Sequence, residues 1–216
     1  MKKPFWIVNK ADSAAEIYLY GYIGYSDEVT ASAFVKELRA LEKDYNRIDL
    51  HINSGGGSVY EGLAIIAAIK SSKAKIVGYV DGIAASMAAV IALSLSECYM
   101  NEYSRMMTHR VQAGCYGNAD ELRAQAEQVE SLENTLVDIL VKKTGLEAEA
   151  VKNTYITDRD KWMTADECQK AGLVNGVVDN DVDVPQNAAP EEIFSIYDKE
   201  LTNKHFPQTQ ETLFVL

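Results

Sequence analysis

The chain has 216 residues, 47% of them hydrophobic and 25% charged, with a formal net charge of −11. That length suits one packed domain with room for a small appendage, and the balance is that of an ordinary soluble globular protein. The acidity speaks against a nucleic-acid partner, which would require a basic face, and against an anionic membrane surface.

Cysteines stand at Cys98, Cys115 and Cys168, an odd number at spacings that match no metal-ligand pattern. A disulfide framework is not expected, and a reducing, cytoplasmic location is. The start, Met1 to Lys10, has two lysines but no apolar run of signal-peptide length. The most apolar stretch, Ile83 to Leu95, is too short to span a bilayer and reads as a buried helix.

In chain order, Glu16–Ile23 is β-branched and aromatic, which predicts a strand. Residues Asp27–Lys43 carry Val29, Phe34, Leu38 and Leu41 near helical period. Ile48–Asn53 alternates as a strand and ends in the turn Ser54-Gly55-Gly56-Gly57, after which Val59–Ser71 reads as an apolar helix. Ala74–Val80 predicts a strand closed by Asp81-Gly82, then a helix from about Ala85 to Leu95. Cys98–Met100 and Arg105–Thr108 read as short strands. A long helix is predicted from about Ala119 to Lys143, with Leu122, Val129, Leu132, Leu136 and Leu140 on one stripe and a stop at Thr144-Gly145. Proline is absent between Phe5 and Val184, which marks the folded body and places a boundary near residue 180.

Repeated strand–helix units imply an α/β fold with a largely parallel sheet, whose ligands gather at the carboxyl ends of the strands. The glycine turns after Asn53 and after Val80 both fall at such ends. Ser86 follows the second, at the start of a helix of small residues. There its hydroxyl can act as a nucleophile beside free backbone N–H groups, or can simply cap the helix. The turn Gly55-Gly56-Gly57 leaves N–H groups that could hold an oxyanion, a phosphate or an extended peptide, but it matches neither a Walker loop nor a dinucleotide fingerprint. A nucleophilic serine needs a base. Of His51, His109 and His205, only His109 ends a strand at the same edge of the sheet. Spacing alone does not choose the acid that would orient it.

At this point the residues resemble the proteolytic subunit of the Clp protease family. The segments that carry the resemblance are Ile52–Val59, Gly82–Ala89, Ser104–His109 and Thr157–Ala165, the last continued by Ala171–Asn175, over about residues 16–179. The resemblance implies repeated β-β-α units of the kind shared with crotonase-like enzymes, a parallel sheet and a protruding long helix. It implies a serine endopeptidase with Ser86 as nucleophile, His109 as general base and Asp160 orienting the imidazole. Backbone N–H groups of Gly57 and Met87 would form the oxyanion hole, and a strand around Gly56, Ser58 and Val59 would pair with an extended polypeptide substrate. No metal or organic cofactor is implied. Seven-membered rings, stacked in pairs to a tetradecamer, are the implied homo-oligomer, with the long helix between rings.

The chain also departs from the family pattern. Gly55 replaces the usual proline, and Arg110 follows the histidine where the housekeeping enzyme usually has glutamine and proline. A short N-terminal segment, 1–15, precedes the peptidase domain, 16–180, so an ATPase unfoldase partner is an open expectation. The lead and the tail, 181–216, resemble the phage or prophage branch that processes capsid and scaffold proteins, and the apolar end of the tail suits docking on a neighbouring subunit. Three rivals differ in the groups they need. An acyl-CoA hydratase or isomerase does not need Ser86, His109 and Asp160 together, a signal-peptide-peptidase-like hydrolase shares the fold and a serine but uses lysine as base, and an assembly relative could be silent.

Overall fold

Strand–helix alternation places eight strands and six helices among the described residues of the computed structural model, which are 7–9, 14–25 and 29–178. The strands are β1 (Ile7–Asn9), β2 (Ala14–Tyr20), β3 (Arg47–Ser54), β4 (Lys75–Ala85), β5 (Glu97–Asn101), β6 (Arg105–Thr108), β7 (Lys161–Thr164) and β8 (Gly176–Val178). The helices are α1 (Ala31–Leu41), α2 (Val59–Lys70), α3 (Met87–Ser94), α4 (Ala119–Thr144), α5 (Ala148–Tyr155) and α6 (Ala165–Lys170). The main sheet runs β1-β2-β3-β4-β5-β8, parallel from β2 onward, while β6 pairs with β4 and β7 with β6.

The residue pattern explains the layering. Ile48, Leu50, Ile52 and Ser54 of β3 are buried, while Asp49, His51 and Asn53 between them are only partly so. This period of two sends one row to the core and one to the other face. On that other face Tyr18, His51, Tyr79 and Tyr99 stack across four strands, with ring centroids 4.7, 5.4 and 5.7 Å apart. Helix α3 is buried on every side, from Met87 to Ser94, which is why its sequence shows no polar stripe. Among the described residues, no helix is long and apolar enough to cross a membrane.

Several boundaries differ from the sequence expectation. The first strand ends at Tyr20, not Ile23, because Gly21 turns the chain at φ 100°. Helix α1 begins at Ala31, where the Thr30 hydroxyl accepts from the Ala33 N–H, and Asp27 lies outside the described residues. Strand β4 does not stop at Val80: it continues through Asp81-Gly82 to Ala85, so the expected second turn is strand and the helix starts at Met87. Strand β1, helices α5 and α6, and strands β7 and β8 were not among the predicted elements; each is short. The tail, 181–216, with His205, lies outside the described residues, as does most of the segment 1–15.

Helix α4 divides the expected stripe. Its start is fixed by a capping box between Asn118 and Glu121, and its end by Gly145 at φ 70°. Glu133, Leu136, Val137 and Leu140 are buried, all in the second half. Leu122 in the first half is 45% exposed, and Val129 and Leu132 are half-buried. The leading turns therefore extend past the packed body, as a protruding helix does.

The cysteines predict a sharp chemical contrast. Cys98 and Cys168 are buried, and burial pushes both thiols up to about 12, whereas Cys115 is exposed. A thiol reagent near neutral pH should modify Cys115 rapidly in the folded protein and the other two only on unfolding. Fast modification of more than one thiol, counted by intact mass, would contradict this burial.

Candidate active site

Strand β4 changes partners along its length. Its first part pairs with β5, from Val77 opposite Glu97 to Val80 opposite Met100. Its last part pairs with β6, with Ile83, Ala84 and Ala85 opposite Arg105, Met106 and Met107. The changeover at Asp81-Gly82 shifts the register against β3, which runs from Ile52 opposite Val80 to Ser54 opposite Ala84. Asn53 fills the irregularity: its Oδ1 accepts from the Ile83 N–H at 3.2 Å and lies 2.7 Å from where a Cβ on Gly82 would be.

Ser86 sits at the end of this strand, directly before α3. Its backbone is at φ 54°, ψ −123°, and it is the only non-glycine residue at positive φ among the described residues. A serine in that region costs about 1–3 kcal/mol. The surroundings hold it there: its N–H donates to the Met107 carbonyl at 2.8 Å, and its own carbonyl accepts from Val90 N–H at 3.2 Å. The sharp turn also lifts the side chain away from the helix N–H groups. The hydroxyl makes no cap bond; Ser86 Oγ lies 2.7 Å from His109 Nε2.

The position of His109 follows from pairing on both sides of β6. The parallel β4–β6 register, extended one residue past Ala85–Met107, brings Ser86 alongside Thr108. The antiparallel β6–β7 register pairs Thr108 with Lys161, so the next step faces His109 with Asp160. His109 Nδ1 and Asp160 Oδ1 are 3.5 Å apart, close enough for charge attraction but long for a hydrogen bond. The imidazole is mostly covered, its side chain 18% exposed, whereas that of Asp160 is 51% exposed. Nδ1 is buried and, among the described residues, has no hydrogen-bond partner, so a short movement of the carboxylate would supply one.

Opposite Ser86 lies the glycine turn after β3. A Cβ on Gly56 would come within 2.6 Å of Ala85 O, 2.8 Å of Ser86 Cβ and 2.9 Å of Met87 N, and its φ is 92°. A Cβ on Gly57, at φ 143°, would lie 2.0 Å from Ile23 O. Both positions therefore require glycine for close approach. Ile23 N–H donates to Gly56 O at 2.9 Å and Ser58 N–H to Ile23 O at 2.7 Å, so this bridge leaves the Gly57 N–H unused. Met87 is the first residue of α3, and its N–H belongs to the helix terminus. The expected strand at Ser58 and Val59 is instead a helix start: Ser58 caps α2 by accepting from the Glu61 N–H, and Val59 is its first residue. The Ser58 N–H, spent on Ile23, is not free for a substrate strand.

These groups open on one cavity of about 330 Å³. Ser86, His109 and Gly57 line it together with the apolar side chains of Val59, Met87, Val90, Leu136 and Ile156, and with Arg110. A polar reacting centre beside an apolar recess suits an extended chain with one apolar side chain inserted. Ser54 stiffens the turn, its hydroxyl donating to Gly21 O at 2.6 Å and accepting from the Gly56 N–H at 3.1 Å. Supporting roles for Asn53 and Ser54 were missed in the sequence; the only signal was their place directly before the glycines.

A second histidine–carboxylate pair lies elsewhere. His51 Nδ1 is 2.9 Å from Asp81 Oδ2, which also accepts from the Tyr20 hydroxyl at 2.7 Å. Burial, with the Asp81 carboxylate next, raises the Tyr20 phenol, which stays a donor. Among the described residues no serine joins this pair, and it packs in the aromatic row, not at the cavity. Among the described residues, no group of histidine, cysteine and carboxylate side chains could hold a metal ion.

Comparison with known proteins bears on the same region. The family described as Clp protease matches residues 3–181. The chain is 35% identical over 172 residues, 77% of its length and 84% of the relative's, to an ATP-dependent Clp protease proteolytic subunit 3 of Rhodococcus jostii. It is 34% identical over 155 residues, 70% of the chain and 77% of the relative, to a proteolytic subunit 2 of Corynebacterium efficiens. A proteolytic subunit 1 of Prochlorococcus marinus is 35% identical over 154 residues, 69% of the chain and 78% of the relative.

The close approach at Gly56 gives a direct test. Gly56→Ala should lower stability by about 2–3 kcal/mol in denaturant unfolding, through strained backbone and the clash with Ala85 O and Met87 N. Gly55→Ala, with nothing near its Cβ, should be close to neutral.

Proposed function

The chain belongs to the Clp protease family of serine-type peptidases, and on that premise we propose that it is an endopeptidase working through an acyl-enzyme on Ser86. The observation that carries this reading is the 2.7 Å approach of Ser86 Oγ to His109 Nε2 beside the apolar cavity.

The chemistry follows from the groups present. With Nδ1 protonated toward Asp160, His109 Nε2 accepts from the Ser86 hydroxyl. Oγ attacks the carbonyl carbon of a bound peptide as its proton passes to Nε2, and Asp160 stabilises the imidazolium that forms. The oxyanion is met by the N–H groups of Gly57 and Met87, which need no reorganisation because the glycine turn and the helix start are already fixed. The imidazolium gives its proton to the leaving amine as the C–N bond breaks. Water then attacks the ester with His109 again as base, and the acid product leaves Ser86 free. The long His109–Asp160 separation is the part of this arrangement that must tighten for turnover. No cofactor enters the scheme.

We take the substrate to be polypeptide and the active form to be a ring of seven subunits, paired to a tetradecamer. The half-exposed leading turns of α4, with Leu122, Val129 and Leu132, support burial between rings. The division into a peptidase domain over 16–180, a leading segment and a tail belongs to the same reading. Processing of capsid or scaffold proteins rests on the resemblance of the leading segment and the tail, 181–216, to the phage or prophage branch. Cooperation with an ATPase rests on the names of the relatives and has the broader support. The tests separate them: an ATPase-dependent enzyme degrades a folded protein only with unfoldase and nucleotide, and a processing enzyme cuts its target without either.

Ser86→Ala should abolish peptide hydrolysis and fluorophosphonate labelling while the fold is retained, a loss of about three or more orders of magnitude in rate. His109→Ala should fall nearly as far, and the double variant no further. Equal peptidase activity in wild type and Ser86→Ala would overturn the reading, and so would fluorophosphonate labelling at another residue.

A further inference from the structure

Arg110, next to the base, makes contacts in three directions that the chemistry above does not use. Its backbone N–H donates to the Thr157 carbonyl at 3.2 Å. Its Nε donates to Glu133 Oε2 on α4 at 3.1 Å, and its Nη1 to Asp158 Oδ1 at 3.2 Å. Glu133 is a buried carboxylate, its side chain 9% exposed, whereas Asp158 is 86% exposed and Arg110 49%. Thr157 and Asp158 lie just ahead of Asp160, in a short link that also carries the Thr157 hydroxyl bond to Arg159 O at 2.7 Å.

We propose that Arg110 is a positioning residue that ties the Asp160 link to helix α4 and so sets how closely Asp160 approaches His109. The proposal rests on the peptidase reading given above.

Strand β7 starts only at Lys161, so Asp160 lies just outside the paired ladder, half-exposed. The ladder brings Asp160 opposite His109, and its remaining separation also depends on the link before it, which Arg110 holds to the His109 strand. A guanidinium is suited to this, because its planar fork presents several donors in fixed directions and it stays charged. One edge is anchored on the covered Glu133, where exchange with water is costly, and the other reaches the exposed Asp158. Neighbouring contacts raise the guanidinium further above its usual range, Glu133 first and Asp158 next. The buried anchor supplies rigidity, and the exposed arm transmits it to the link.

The experiment measures kcat and KM on a short fluorogenic peptide with the full-length protein. Arg110→Ala should lower kcat about 10-fold to 100-fold with KM within about twofold of wild type, the scale expected for displacing a catalytic group by roughly 1 Å. Asp158→Asn should fall in the same direction by a smaller factor, since it loses only the exposed arm. Arg110→Lys, which cannot span both carboxylates, should recover only part of the loss. Because Arg110→Ala strands a buried carboxylate, Arg110→Ala with Glu133→Gln serves as the folded control and should show the same kcat deficit. The decisive comparison is in an Asp160→Asn background, where Arg110→Ala should cost nothing further in kcat. A full additional loss there, or wild-type kcat in both Arg110→Ala and the folded control, would overturn the proposal. Retained activity in Ser86→Ala would instead overturn the peptidase reading on which it stands.

Discussion

Everything at the cavity depends on strand β4 keeping a hydrogen-bonded neighbour after it has left β5. Past Val80 the strand could have ended, and the chain would then have entered α3 from a flexible glycine turn. Instead β6 takes over as partner for Ile83, Ala84 and Ala85, and the Ser86 N–H adds a further bond to Met107. Ser86 is thus held between an ordered strand and a fully buried helix. Only such a clamp can hold a serine at φ 54° against the steric preference of an L-residue.

The same partner exchange assembles the other groups. Strand β6 lies between β4 and β7, so one strand delivers His109 to Ser86 on one side and faces it toward Asp160 on the other. Two registers, each fixed by backbone pairing, therefore set the relative positions of three side chains far apart in sequence. The approach of Gly56 to Ala85 O and Met87 N closes the fourth side, and its close contacts leave no room for a side chain there. A one-residue slip in either ladder would move His109 away from Ser86 or turn its side chain to the other face.

The two histidine–carboxylate pairs show why residue types alone are insufficient. His51 and Asp81 are better hydrogen bonded than His109 and Asp160, at 2.9 Å against 3.5 Å. Yet His51 stacks between Tyr18 and Tyr79 on the face of the sheet away from the core row, and among the described residues no serine hydroxyl bonds to it. Rank by pair geometry would choose His51, although the Ser86 hydroxyl lies against His109. Position at the carboxyl end of a strand chooses the right neighbour for Ser86, because β4 and β6 run parallel and finish at the same edge.

Local patterns in the sequence are enough for the α/β alternation, the helices α2 and α4, the strand β3 and the association of Ser86 with the glycine turn after β3. These are legible because each rests on local periodicity or on residues that permit an unusual backbone. The motif segments also carried the family resemblance, including Asp160, which spacing alone could not select among 32 acidic residues. Long-range pairing makes Asp81-Gly82 strand, not turn, since a strand is defined by its neighbour and β6 lies more than twenty residues further on. Tertiary structure separated cap from engaged hydroxyl at Ser86, because the difference is the direction of one side chain set by a long-range ladder. It also placed Ser58 on a helix start and Arg110 between Glu133 and Asp158, two carboxylates from distant segments. Contacts of that kind come from packing between elements, and no local pattern encodes them.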